Sequence, residues 1–308
     1  MAFHPKDYVL PVGLQYALEG AIALERPLLL TGEPGTGKTS LAAWAAWFLH
    51  HKYKKEGIDF AEKHLHFSTK TTSQSRDLFY TYDALSHFQA ANIGGKKEVK
   101  VGDFIDLQAL GRAIAMSRPN KEIQELVRTE LPDQPRGAVV LIDEIDKAPR
   151  DFTNDILDEI DKMRFNLREQ NVTLNRGKEV PIVVIMTSNS EKNLPDAFLR
   201  RCAFFHIEFP KDPTSPVLRK ILEKHIGKPT GDTKKAYDEL VQFFFDARSA
   251  SVRKKPATAE LIGWLRLLEL NGYFEVSDPQ ERKRMQEYNL SFLVKTREDL
   301  EAVKKLIV

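Results

Sequence analysis

The stretch GEPGTGKT, residues 32–39, decides how this chain is read. It stands between LLLT (28–31), a short apolar run, and SLAAWAAWFLHHKYKK (40–55), a long segment that reads as helix. Its spacing is G-x-x-x-x-G-K-S/T, and a strand before it and a helix after it are the context that separates a phosphate cradle from a plain glycine turn. Glycines let the backbone turn tightly and bring its N–H groups onto phosphate oxygens. A helix beginning near Lys38 points its positive dipole end at the same anion. Lys38 is placed to reach the β- and γ-phosphates, and the Thr39 hydroxyl to ligate Mg²⁺. Gly32, Glu33, Pro34, Gly35, Thr36, Gly37, Lys38, Thr39 and Ser40 are therefore the expected nucleotide-contacting set.

A cradle that also hydrolyses needs an acid for the metal and a group to act on water. AVVLIDEIDKAP (138–149) offers both. Its apolar strand runs into Asp143 and Glu144 at the carboxyl end, where α/β sheets place ligands. Asp143 is expected to hold Mg²⁺ through water, and Glu144 to orient or deprotonate the attacking water. Asp146 reads as part of the following turn, with no catalytic role. PIVVIMTSNS (181–190) is a further apolar strand with a polar tip. Asn189, just past that strand, is a candidate contact to the γ-phosphate or the water.

The rest of the chain fits a parallel α/β sheet covered by helices on both faces. VGLQYALEGAIAL (12–24) has helical spacing, and HLHFS (64–68) reads as a strand. Within 76–107, helical spacing runs to about Ala91, residues 93–95 break it, and GKKEVKVGDFI alternates like a small hairpin. QALGRAIAMS and DFTNDILDEIDKM return to helix, and RFNLREQNVTLNRGKEV (164–180) reads as a hairpin turning near Glu169–Asn171. Trp44, Trp47 and Phe48 read as core packing. After FHIEFP, near Pro210, the pattern becomes helical throughout. SDPQE and TRED look like helix starts, with Thr296 and Asp299 as a capping pair.

Composition bounds the function classes. With 308 residues the chain makes one large domain or two smaller ones, and 42% hydrophobic with 29% charged residues is ordinary for a globular protein. A formal net charge of +2 gives no global basic field for nucleic acid. The single cysteine, Cys202, excludes a disulfide framework within the chain, favours a reducing compartment, and is expected to be buried. The N-terminal residues do not read as a signal peptide, and the apolar runs are too short to span a bilayer, so no membrane insertion and a cytoplasmic location are expected. His64 and His66 share a strand face without the acid or cysteine that would complete a metal set.

With these residues in place, the chain resembles an AAA+ ATPase, and more narrowly the MoxR family. GEPGTGKT corresponds to Walker A, VVLIDEIDKAP to Walker B, and VIMTSNSEKNLPDAFLRRC to the sensor 1 segment. TTSQSRDLFYTYDAL, ALGRAI and KKPATAELIGWLRLL are similar to MoxR-type proteins. The resemblance implies a P-loop core over 1–210, with a helix-2 insert at about 92–105 and a pre-sensor-1 hairpin at about 164–180. It implies a small all-helical lid over 211–308. It makes Asn189 the sensor 1 residue and Arg201 the arginine finger acting on the next subunit, with Arg200 as the competitor. Lys255, preferred over Lys254, is the candidate for sensor 2. ATP and Mg²⁺ are the implied ligands, a hexameric homo-oligomeric ring the implied assembly, and a protein client, such as one with a von Willebrand factor A domain, the implied partner. Two rival readings are a nucleic-acid motor or defence ATPase, and a nucleotide-dependent switch or scaffold. Tyr8 and Val9 are placed ahead of the first helix to flank the base.

Overall fold

Parallel strands buried on both faces need long apolar runs, and the chain spends its most apolar residues on them. In the computed structural model, which describes residues 4–93, 99–189, 194–229, 231 and 233–307, β1 (Leu28–Gly32), β2 (Leu65–Ser68), β5 (Ala138–Asp143), β8 (Ile182–Thr187) and β9 (Ala203–Ile207) form one parallel sheet in the order β2-β5-β8-β1-β9. Strand β1 lies between β8 and β9, pairing Leu30 with Thr187 on one side and with Phe205 on the other. The chain's order of strands reverses there, and in open α/β sheets a ligand crevice opens at the carboxyl ends beside such a point. GEPGTGKT leaves the sheet at that place.

Helices α1 (Val12–Ala23), α2 (Lys38–Lys55), α4 (Ala109–Met116) and α5 (Arg150–Lys162) surround the sheet. Leu29, Val140, Ile142, Val184 and Met186 join Leu110, Ile114, Ile156 and Ile160 in one buried cluster. Helix α2 packs its small residues, with Leu41, Ala42, Ala45, Ala46 and Leu49 all buried. The alanines let the helix approach the sheet closely, which turns the bulky rings outward. Trp44 and Trp47 are half-buried and Phe48 is exposed, stacked on Trp44 with ring centroids 4.8 Å apart. The expectation that these three rings fill the core is corrected accordingly.

Two further expectations change. The segment after Arg76 is not one helix: it divides into a 3₁₀ turn (Ser75–Leu78), strand β3 (Tyr80–Tyr82) and α3 (Ala84–Ile93). Strand β4 (Ile105–Leu107) pairs antiparallel with β3, Tyr80 against Leu107, rather than forming a hairpin with its own neighbours. Alternation marks a strand but carries no information about its partner, and Tyr80 and Leu78 are drawn into the core. The break read at 93–95 falls at the end of α3, and residues 94–98 lie outside the described residues. The hairpin is found as β6 (Arg164–Leu167) and β7 (Val172–Asn175), with Asn171 at positive φ in its turn. Strand β9 has little signature in the sequence, because AFFHI sits at the sheet edge and carries a histidine in place of a continuous apolar run.

The chain divides into two units. One comprises residues 1–6, 12–32 and 38–207; the other comprises 7–11, 33–37 and 208–308. The units are discontinuous in sequence, and the last break between them follows residue 207. The crest of the P-loop and the segment around Tyr8 group with the C-terminal unit. That unit is helical over its described residues after 208: α7 (Pro216–Ile226), α8 (Thr233–Ala250), α9 (Thr258–Leu270), α10 (Pro279–Leu293) and α11 (Arg297–Lys304). Leu222, Leu240, Phe244, Leu261, Trp264 and Leu290 make its core. Among the described residues, no helix is long and apolar enough to cross a membrane.

The expected capping pair does more than cap. Thr296 Oγ1 accepts the Asp299 amide at 3.2 Å and donates to Asp299 Oδ2 at 2.7 Å. Asp299 is fully buried, and its carboxylate accepts the amides of Val252 (2.7 Å), Arg253 (3.0 Å) and Lys254 (2.8 Å). Burial disfavours the charge, but the Arg253 amide, the Thr296 hydroxyl and the amides of Lys254 and Val252 outweigh it together and hold the carboxyl at about 2. An unfolded aspartate titrates near ~3.9. The folded state therefore binds this proton less readily, and its stabilisation is complete above about pH 4 and lost as the pH falls towards about 2. Urea midpoints measured across that window should fall more steeply for wild type than for Asp299→Asn; parallel slopes would show that Asp299 does not set the acid response.

Candidate nucleotide site

The P-loop crest is built by backbone conformation. Gly35 and Gly37 have φ of +78° and +87°, values that side chains with a Cβ rarely adopt. A Cβ on Gly35 would lie 2.9 Å from that of Ala257, and one on Gly37 would touch the Tyr8 ring at 3.4 Å. Thr36 Oγ1 donates to the Glu33 carbonyl at 2.8 Å and closes the turn. Tyr8, expected beside the base, is found against Gly37, and burial raises its hydroxyl pKa far above the ordinary tyrosine value. Ser40 follows on the first turn of α2.

Lys38 opens α2 and is buried at 8% exposure. Its ammonium donates to the Gly32 carbonyl at 2.7 Å and to Asn189 Oδ1 at 3.1 Å. The P-loop lysine and the strand-tip asparagine, 151 residues apart, thus meet. Asn189 is in turn fixed from behind, its amide donating to Asp146 Oδ1 at 3.2 Å. Asp146 lies in the turn after β5, and from there its carboxylate accepts the backbone N–H of Asn189. Residues 190–193 of the sensor 1 segment lie outside the described residues.

Thr39 Oγ1 donates to Asp143 at 3.2 Å from Oδ1 and 3.4 Å from Oδ2. A hydroxyl and a carboxylate converging at the carboxyl ends of β1 and β5 form a hard-oxygen donor set, which suits Mg²⁺. Thr39 and Asp143 are the residues that would hold that ion, whose charge would offset that of phosphate oxygens. Thr187, buried on β8, donates to Asp143 Oδ1 and accepts the Glu144 amide at 2.9 Å. One hydroxyl thereby orients both acids. His66 Nε2 lies 3.6 Å from Asp143 Oδ2, because β2 is the neighbour of β5. The sequence marks His66 only as a face-mate of His64 and does not mark Thr187, since both meet Asp143 across strands.

Glu144 adopts the left-handed region, φ 57° and ψ 47°, at the turn after β5. A glutamate there is strained, and such strain concentrates at functional sites. Its carboxylate pairs with Lys147 in the next turn and is 37% exposed, open to water. The acid at the strand tip and the acid after it therefore differ in role: Asp143 is braced by hydroxyls, and Glu144 faces solvent.

The arginine pair separates as well. Arg201 donates to Asp161 Oδ2 on α5 at 2.6 Å and to the Ala197 carbonyl at 3.0 Å. Arg200 ends α6 (Asp196–Leu199), is exposed, and has no side-chain partner among the described residues. Cys202 is half-buried rather than buried, donating its thiol to the Phe198 carbonyl at 3.3 Å; desolvation first, then Asp161, push that thiol up to about 12. Lys254 and Lys255 are exposed on the segment that Asp299 anchors.

The sequence pattern of the ATPase family associated with various cellular activities (AAA) matches residues 28–211. The chain belongs to the AAA family. The matched span runs from β1 through the residues just past β9, so it contains the P-loop, both acids, Asn189 and the arginine pair. No curated protein matches the sequence. Among solved structures, a mutant of Thermotoga maritima RuvB is similar at 15% identity, covering 93% of this chain and 70% of its own, with a TM-score of 0.47. A second mutant of the same protein is similar at 14% identity over 94% and 70%, with a TM-score of 0.45. In this AAA protein Lys38 meets Asn189 and Thr39 meets Asp143 at the ends of three neighbouring strands.

Proposed function

We propose that this AAA protein is an ATP hydrolase of MoxR type that couples ATP turnover at subunit interfaces to remodelling or maturation of a partner protein. The observation that carries this reading is the convergence of Lys38, Thr39, Asp143, Glu144 and Asn189 on one end of the sheet, with Thr187 bracing both acids. In this reading the P-loop amides and Lys38 bind the triphosphate, and Thr39 and Asp143 hold Mg²⁺. Asn189 orients the γ-phosphate side, and Glu144 takes the proton of the attacking water. The charge that develops on the phosphoryl oxygens calls for a further cation. Arg200 fills that role in trans, because Arg201 is already engaged by Asp161 within its own subunit. Lys255 contributes as sensor 2.

An arginine that acts on a neighbour makes the site incomplete in a monomer. A homo-oligomer follows, and the MoxR resemblance sets the hexameric ring as its form and a protein carrying a von Willebrand factor A domain as its client. The helix-2 insert at about 92–105, which runs into β4 beside β3, and the β6–β7 hairpin are the surfaces we assign to client contact. Strand β3 is latched to the hairpin: Tyr80 donates to Glu169 Oε2 at 2.8 Å and accepts the Arg168 amide at 3.1 Å.

The test is ATP turnover per subunit measured across protein concentration, with mass determined in parallel. A rate that rises with concentration and tracks the oligomer supports the reading. A rate that is constant per subunit down to monomer, or absent at all concentrations, overturns it.

A further inference from the structure

A loop that accepts a triphosphate carries, at its second position, a carboxylate. Glu33 lies between Gly32 and Pro34 on the crest, where a negative charge opposes the incoming anion unless it is matched. Arg248, near the end of α8, matches it: its Nη2 lies 2.8 Å from Glu33 Oε2. This is no loose surface pair. The arginine side chain is 11% exposed, its guanidinium lies 3.6 Å from the centroid of the Phe209 ring, and Nη1 donates to the Pro256 carbonyl at 2.6 Å. A planar fork held on an aromatic face keeps its remaining donors aimed.

One side chain therefore joins three segments of the C-terminal unit: the P-loop crest, Phe209 just past β9, and the residues leading into α9. The junction is tight, since a Cβ on Gly35 would lie only 2.9 Å from that of Ala257, next to Pro256. Nothing in the phosphate-binding spacing asks for an arginine 215 residues away.

We propose that Arg248 is a positioning residue for nucleotide binding, which neutralises Glu33 and holds the P-loop crest open to phosphate while tying it to the entry of α9. This rests on the nucleotide reading above. A pair that served packing alone would matter for stability and not for ligand affinity, and removing both charges would be no better than removing one. A charge-matching role makes the opposite prediction: with Arg248 gone, Glu33 itself becomes the obstacle, and removing it restores binding.

The experiment measures the Kd of a fluorescent Mg-ADP analogue for wild type, Arg248→Met, Arg248→Lys, Glu33→Gln and the Glu33→Gln/Arg248→Met double variant. Methionine keeps the apolar stem on Phe209 and removes the charge; lysine keeps the charge and guards against a methionine variant that fails to fold. The expected result is Kd raised about tenfold by Arg248→Met, within about threefold of wild type for Arg248→Lys, and returned to within about threefold by the double variant, a coupling typical of contacting residues. Arg248→Met equal to wild type, or a double variant as weak as Arg248→Met, overturns the proposal and leaves the nucleotide reading standing. If the methionine variants do not fold, an Arg248→Lys Kd raised tenfold or more overturns it. Wild-type protein that binds no Mg-ADP overturns both.

Discussion

Glu144→Gln should lower ATP turnover by about 10²–10⁴-fold while leaving nucleotide binding intact, the range expected when a positioned general base is removed. The substitution changes little else. Glutamine keeps the side-chain length, and the backbone that sets its direction is held by the hydrogen bond its N–H donates to Thr187 Oγ1 rather than by the carboxylate. What is lost is the proton acceptor, together with the ion pair to Lys147. Lys38, Thr39 and Asp143 do not depend on that carboxylate for their contacts, so the Kd for ATP should move by less than about threefold, a change of under about 0.7 kcal/mol. The check is single-turnover hydrolysis beside equilibrium binding of the same preparation. A variant that keeps a tenth or more of the wild-type rate would return Glu144 to a structural role at its strained turn. A variant that loses binding as well would show that the carboxylate shapes the P-loop rather than the water.

Arg200→Ala should cost about 10³-fold or more in turnover, the size associated with an arginine supplied to a phosphoryl-transfer site by a neighbour. Arg201→Ala should cost less directly, and through the protein's own fold, because it releases Asp161 and the Ala197 carbonyl. The two effects separate by mixing. Arg200→Ala subunits retain Glu144, and Glu144→Gln subunits retain Arg200. A mixed assembly places intact acid beside intact arginine at some interfaces and should recover a clear fraction of the wild-type rate. Arg201→Ala should give no such recovery if its defect lies within one subunit. Should Arg201→Ala complement Glu144→Gln and Arg200→Ala remain fully active, the trans role passes to Arg201 and the Asp161 pair becomes a resting contact.

The MoxR resemblance ranked these two arginines in the other order. Sequence places both after the same short helix and offers no means to say which one a neighbouring helix captures. Asp161, 40 residues earlier, is one of several acids on α5 and gains meaning only when α5 and α6 are packed together.

What the sequence determined by itself is the chemistry that sits on contiguous residues. GEPGTGKT specifies a phosphate cradle because the turn, its positive-φ glycines, the lysine and the start of α2 all lie within eight residues. AVVLIDE specifies a buried strand with two acids at its tip, because a strand buried on both faces needs an unbroken apolar run and its end marks where polar groups emerge. The hairpin at β6–β7 and the Thr296–Asp299 cap are legible for the same reason: each is closed by neighbours in the chain. Contacts between residues far apart in the chain come from folding alone, where no period or spacing carries a signal. Thr187 bridges Asp143 and Glu144 from β8, Asp146 steadies Asn189, β4 pairs with β3 around α3, and Arg248 reaches Glu33. Those pairings follow from sheet order and helix packing, which fix distance in space independently of distance along the chain.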